Sequence, residues 1–401
     1  METKTRKKRG KKLGNAIRYI LSKSDYYDYN LLAGVILLIC FGLVMLYSTS
    51  AYDAQLTFDG NDMHYFAKQA KISFGAIIGA ILISRFDYHW IGDGLGLFAY
   101  VLAFVLMALV LTPLGESAYG ARRWLRIGIQ FQPSEIGKIA VIIFVSLMIV
   151  KIGRNIKTTR GFCFLLALGV IQAMGAWLMT DNLSTGIIIG GIACFLIFVA
   201  HPNTKKFLIA GGVGVLLGAI ALVVIDGLMT VDKSGGFRMR RILVWLHPEE
   251  HLEDGGYQVQ QALYAIGSGG FFGKGLGNSA QKLGTIPEAQ NDMIFAIICE
   301  ELGIFGAGLL LLLFGYVLYR LYFIAQHAPD LYGTLLASGV FAHFALQVVL
   351  NLCVVLNVLP TTGISLPFIS YGGTSAAFLM AEIALALSVS RTIKTKKEET
   401  E

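Results

Sequence analysis

The chain has 401 residues, of which 55% are apolar and 15% charged, with 46 glycines outside that apolar count. An ordinary soluble domain carries about 25% charged residues, so this mixture cannot give a soluble core a wet surface. The excess of apolar residues over only five cysteines also excludes a disordered or disulfide-stapled chain. The sequence reads as an all-α polytopic membrane protein, and its net charge of +7 has to be sorted by membrane side before nucleic acid is considered.

Residues 1–29 form a basic N-terminal segment, with Lys4, Arg6, Lys7, Lys8, Arg9, Lys11, Lys12, Arg18 and Lys23. A spanning helix needs about 20 mostly apolar residues. About ten candidates follow, centred on Leu31–Tyr47, Tyr65–Ile83, Leu95–Leu111, Ile136–Ile152, Phe162–Met179, Ser184–Ala200, Phe207–Ile225, Met293–Tyr319, Leu331–Leu356 and Thr374–Val389. Lys68 and Lys71 weaken the second, and the eighth and ninth are long enough to tilt or to leave the membrane. Residues 30–391 therefore form one transmembrane domain, followed by a cytoplasmic tail over 392–401. Lys and Arg alternate between loops (Arg85; Lys151, Arg154, Lys157 and Arg160; Lys205 and Lys206; Arg320; Arg391, Lys394, Lys396 and Lys397). The positive-inside rule then puts both termini in the cytoplasm. The basic ends read as headgroup-facing flanks rather than a nucleic-acid arm. Cys40, Cys163, Cys194, Cys299 and Cys353 all fall in apolar spans, where small apolar fillers are expected.

Three longer segments lie outside by this topology: Glu116–Gln132, the large loop over about 226–291 between spans seven and eight, and Asn357–Gly373. The first two place Arg122, Arg123, Arg126, Arg238, Arg240, Arg241, Lys274 and Lys282 on the disfavoured side. Arginine forks suit phosphate oxygens, which points to a phosphorylated, membrane-embedded substrate. Salt bridges to headgroups and to Glu249, Glu250, Glu253 and Asp254 are the other reading.

The run Gly267–Ser279 is glycine-rich but fits no nucleotide loop: Ser268 stands where a P-loop needs its first glycine, Gly275 follows Lys274, and Asn278 breaks a GxGxxG. Its glycines are expected to serve tight turns and close backbone packing. Asp292 sits where the chain re-enters the membrane, either as a helix cap shared with Asn291 or as a catalytic carboxylate. Inside the spans, Glu135 and Lys138 are three apart and can pair, and Glu300, Glu301, Gln347, Asn351 and Glu382 should face the bundle interior. His247, His251, His327 and His343 have no metal-ligand spacing.

In order along the chain stand Gly120-Ala121-Arg122-Arg123-Trp124, Phe131-Gln132-Pro133-Ser134-Glu135 with Lys138, and Arg241-Ile242 with Trp245 and Pro248. Then come Gly256-Tyr257-Gln258 with Gln261, Ala265–Gly270, Gly275–Ser279 with Gln281-Lys282, and Pro287-Glu288-Ala289 with Asp292 and Glu300–Gly303. Last are Leu359–Gly363 and Leu366–Gly373. Together these resemble the SEDS family of membrane proteins (FtsW, RodA and their sporulation relatives), over nearly the whole chain. The Gly-Leu-Gly-Asn-Ser…Gln-Lys and Pro-Glu-Ala forms look more like the FtsW branch. Asp181-Asn182-Leu183-Ser184-Thr185 departs from the family's common Pro-Asp-Leu-Gly-Thr, which puts in doubt a carboxylate role at Asn182.

The resemblance implies a peptidoglycan glycosyltransferase that polymerises lipid II at the outer face of the cytoplasmic membrane, in cell division. It also implies a class B penicillin-binding protein as partner, among divisome or sporulation proteins. Asp292 occupies the essential carboxylate position, and Arg122, Arg123, Glu135, Lys138, Arg241, Lys274, Gln281, Lys282, Glu288 and Ser370 are the expected substrate-binding residues. A pyrophosphate leaving group needs charge stabilisation rather than a proton, so one base and a cationic cluster suffice. A divalent cation (Mg or Mn) could share that task, although nothing in the sequence supplies a dedicated cage. A lipid flippase and a non-catalytic scaffold for the penicillin-binding protein are the rival readings.

Overall fold

The computed structural model describes residues 26–118, 121–205, 207, 209, 237–251, 256–283, 286 and 289–393. Its elements in chain order are α1 (Tyr29–Thr57), α2 (His64–Ile83), α3 (Tyr88–Leu109), β1 (Gly115–Ala118), β2 (Ala121–Ile127) and β3 (Ile129–Phe131). Then come α4 (Pro133–Ile152), α5 (Thr159–Met179), α6 (Leu183–Ala200), α7 (Phe237–Leu246), α8 (Gly256–Ser268), α9 (Ile294–His327), α10 (Leu331–Val355) and α11 (Thr374–Ser390). Eight of these helices are long and apolar enough to cross a membrane, and α11 is a shorter apolar helix of 17 residues. The chain is a multi-pass membrane protein. Nine predicted spans thus appear as helices. The seventh, Phe207–Ile225, lies almost wholly outside the described residues.

Helix starts follow the local chemistry. Asp28, Thr158, Asn182 and Asp330 accept hydrogen bonds from the backbone N–H three residues on and so cap α1, α5, α6 and α10. Pro133 opens α4, where its missing N–H costs nothing. The chain is not wholly α-helical. The segment after α3 folds as an antiparallel meander in the order β1-β2-β3, with Glu116 opposite Trp124 and Arg126 opposite Gln130. Gly128, at φ +78, makes the reversal between β2 and β3. The apparent loop over 226–291 likewise contains two helices, α7 and α8.

The core lies along α4, α6, α10 and α11, where Val141, Ile142, Ile189, Val340, Phe344 and Ile383 are buried. Helices α2, α3 and α5 turn apolar faces outward (Phe74, Leu82, Phe98, Val170), as lipid-facing helices can. Three ion pairs lie buried or nearly so in the bundle. Lys138 meets Glu135 at 2.8 Å, His343 meets Glu382 at 2.6 Å, and Arg320 meets Asp28 at 2.7 Å near the far end of the bundle. Lys68 and Lys71 lie on the exposed face of α2, while Gln69 between them is buried.

Helix α9 is broken at Gly303, where φ is +67 and ψ −170. The glycine-rich stretch after α8 fills the break. Lys274 and Gly275 donate their N–H groups to the carbonyls of Glu300 and Glu301, and Ile304 and Phe305 donate theirs to Gly270 and Phe271. A Cβ at Gly273 would fall 2.2 Å from the Glu301 carbonyl oxygen, so only glycine permits this approach. The glycines thus serve backbone packing, and the loop supplies four main-chain hydrogen bonds across the kink.

Candidate functional site

Strand β2 carries an irregularity at Arg123: Trp124 pairs with Glu116 and Arg122 with Ser117, so Arg123 is the extra residue between two paired ones. The two neighbouring arginines accordingly take different partners. Arg122 reaches the Leu111 carbonyl at 3.4 Å. Arg126 pairs with Glu116 at 3.6 Å, an exposed contact worth about 0–1 kcal/mol. Arg123 turns toward the bundle, donates to the Asp181 carbonyl at 3.3 Å, and leaves its Nε buried with no partner.

Helix α7 brings Arg241 beside it. One turn apart, Arg241 and Trp245 lie on a single face. Arg241 donates to the Thr361 carbonyl at 3.3 Å and Trp245 to the Asn357 carbonyl at 2.9 Å, so α7 is laid across the loop that joins α10 to α11. Ser184, in the first turn of α6, donates to the next carbonyl, Thr362, at 3.1 Å.

Asp292 faces this loop from the start of α9. A Cβ at Gly363 would sit 3.9 Å from its Oδ2. Asp292 is not the helix cap: the cap position falls on Met293, and no side chain fills it. Asp181, Arg123, Arg241 and Asp292 form a row in which each charge acts on the next. Burial presses the Arg123 guanidinium below the usual arginine range and the charge of Arg241 adds to that, while Asp181 opposes it. Burial lowers Arg241 as well, against the pull of Asp292. Two partly desolvated guanidiniums beside a half-exposed carboxylate make a surface that favours an added anion.

The other expected site residues fall elsewhere. Lys274 is held by Glu300 at 2.6 Å, with Ser279 also donating to that carboxylate. Lys282 is held by Glu301 at 2.8 Å, with Ser48 donating to the same group. These lysines neutralise buried glutamates of α9. Glu135 and Lys138 satisfy each other inside the bundle, joined by Ser375. Ser370 turns inward and accepts from the Leu366 N–H at 2.7 Å. Gln281 is half-buried beside Lys282, and Glu288 lies outside the described residues. Among the described residues no three His, Cys, Asp or Glu side chains converge as a metal cage would require.

Sequence reasoning passes over four contributors. Asp181 was seen only as the neighbour of Asn182; its positive φ of 47 is tolerated by Asp more readily than by most residues. Trp245 stood only as a motif letter. Asn351 and Gln347 were placed in the bundle interior, and their i, i+4 spacing was the available signal that both reach one loop.

A helical membrane bundle whose one end gathers a carboxylate, two arginines and a backbone-tied loop is the frame of a membrane enzyme for an anionic substrate. The sequence profile of the FtsW/RodA/SpoVE family, described as cell cycle protein, matches residues 29–395, and the chain belongs to that family. It is 39% identical over 374 residues to stage V sporulation protein E of Bacillus subtilis, covering 92% of this chain and 98% of the relative. It is 34% identical over 376 residues to a probable peptidoglycan glycosyltransferase FtsW of Geobacter sp. (strain M18), covering 92% and 98%. Among solved structures, a chain of a peptidoglycan synthase complex superposes with TM-score 0.73 at 27% identity, covering 91% of this chain and 98% of that one. The rod shape determining protein RodA of Thermus thermophilus superposes with TM-score 0.65 at 25% identity, covering 92% and 98%.

Proposed function

We propose that this protein is a peptidoglycan glycosyltransferase that polymerises lipid II into glycan strands, serving the septal wall of division or sporulation. The observation that carries this reading is the row Asp181–Arg123–Arg241–Asp292 at one end of the bundle. Asp292 takes the proton of the acceptor sugar hydroxyl as that oxygen bonds to the donor's anomeric carbon. The bond from that carbon to the pyrophosphate oxygen breaks, and undecaprenyl pyrophosphate leaves with the electron pair. Arg123 and Arg241 hold the pyrophosphate, and their charge is worth most where water is partly excluded. A divalent cation (Mg or Mn), were one bound, would have Asp292 as its protein ligand and would supply further charge neutralisation.

The site end faces outward and both termini face the cytoplasm, as the Lys and Arg distribution requires. A class B penicillin-binding protein is the partner that cross-links the product.

The test is polymerisation of purified lipid II in liposomes by wild type and Asp292→Asn, each with and without the penicillin-binding partner. Polymer from wild type alone, with the variant still binding the partner, is the expected result. Polymer from both overturns the assignment of the base. Polymer from neither turns the reading toward lipid transport or scaffolding.

A further inference from the structure

A general base works only if its carboxylate is held within a few tenths of an ångström of the acceptor hydroxyl. Asp292 precedes the first helical residue of α9 and lacks the rigidity that a helix interior would lend it. What fixes it comes from α10. The side chain of Asn351 is fully buried, and its Nδ2 donates both to the Asp292 carbonyl at 2.9 Å and to the Ile364 carbonyl at 2.7 Å. Both neighbours are acceptors, so only the NH2 end of the amide fits there.

One turn earlier on the same face, buried Gln347 donates to the Ser365 carbonyl at 2.9 Å and to its hydroxyl at 3.3 Å. The two amides differ in reach. Gln347 grips the loop alone, while Asn351 grips the loop and the residue that bears the carboxylate. The loop carries the other tethers already described, Arg241 on Thr361 and Ser184 on Thr362. A single side chain therefore sets Asp292 in register with the segment to which the phosphate-facing arginine is tied.

We propose that Asn351 is a positioning residue for glycan transfer, fixing Asp292 against the 361–365 loop. The proposal rests on the reading of Asp292 as the base. Asn351 touches neither sugar nor pyrophosphate, so its loss should slow chemistry while leaving lipid II capture nearly intact.

The experiment uses the full-length protein with its penicillin-binding partner, and lipid II titrated over wild type, Asn351→Ala, the volume-preserving Asn351→Leu, Gln347→Ala and Asp292→Asn. Partner co-purification and the thermal midpoint in detergent report folding. For either folded Asn351 variant, kcat is expected to fall about 100-fold with KM changed less than about threefold, and Gln347→Ala is expected to lose less. An unchanged kcat, a change confined to KM, or a loss that merely follows the folded fraction overturns the proposal. Failure of both Asn351 variants to fold assigns the residue to stability and overturns it too. Asp292→Asn separates the two readings. If it still polymerises, the base assignment fails. If it is inactive while Asn351 variants keep wild-type kcat, only the positioning role fails.

Discussion

The first turns of α9 carry two meetings of carboxylate and cation with opposite characters. At residues 300 and 301, buried glutamates are closed by Lys274 and Lys282 at 2.6 and 2.8 Å, with serine hydroxyls on the same oxygens. Eight residues earlier, the charges of Asp292 and Arg241 act on one another near the surface, and Arg241 and Arg123 donate to backbone carbonyls at 3.3 Å. The lysine clusters fasten one segment to another, and each lysine charge is matched by a buried glutamate. The arginines are held by carbonyls of the surrounding backbone, which orients the guanidiniums without a buried glutamate closing on them. Counting charges would rank the two regions equally; only the partners separate them.

Substitutions can break or sharpen this contrast. The largest effect is expected at Asp292→Asn, which should lower kcat for lipid II polymerisation about 10³-fold without loss of partner binding, measured by glycan product on gels. Next, Lys282→Ala should strand Glu301 in the bundle and cost about 3–5 kcal/mol of stability, read as a fall in thermal midpoint. The double neutral replacement Lys282→Met with Glu301→Gln should restore most of that midpoint and near-wild-type turnover, because the pair is a fastening. No neutral pair should rescue Asp292 and Arg241. Arg241→Ala and Arg123→Ala should each reduce kcat/KM about 10- to 100-fold, since each removes one donor to developing phosphate charge. The smallest effect belongs to Arg122→Ala: with its exposed contact to the Leu111 carbonyl it should change kcat/KM by less than about threefold, and a loss equal to that of Arg123→Ala would show that both arginines serve the substrate.

Much of this was legible in the sequence, because lipid forces long apolar helices and the apolar runs mark them directly. The position of Asp292 and the interior placement of Glu135, Lys138, Glu300 and Glu301 followed from the same constraint. What could not be read was partnership. Arg122 and Arg123 are adjacent letters, and nothing in their identity tells that an irregular short strand will give them different partners. Lys274 and Lys282 carry the charge a phosphate would want, yet glutamates 26 and 19 residues further on claim them. The meander over 115–131 was hidden because its strands are short, the shortest having three residues, and alternation needs longer runs to be heard.

The break at Gly303 has a bearing on how this protein tolerates change. Four main-chain hydrogen bonds stitch the stretch from Gly270 to Gly275 into the kink in strict register. Main-chain stitching is indifferent to most side chains and intolerant of altered spacing. Phe272, exposed to 75%, could be exchanged at little cost, whereas one residue inserted between Gly270 and Gly275 would dislocate all four bonds at once. Insertion scanning should therefore find this short stretch closed to tags and epitopes even where point substitutions pass unnoticed.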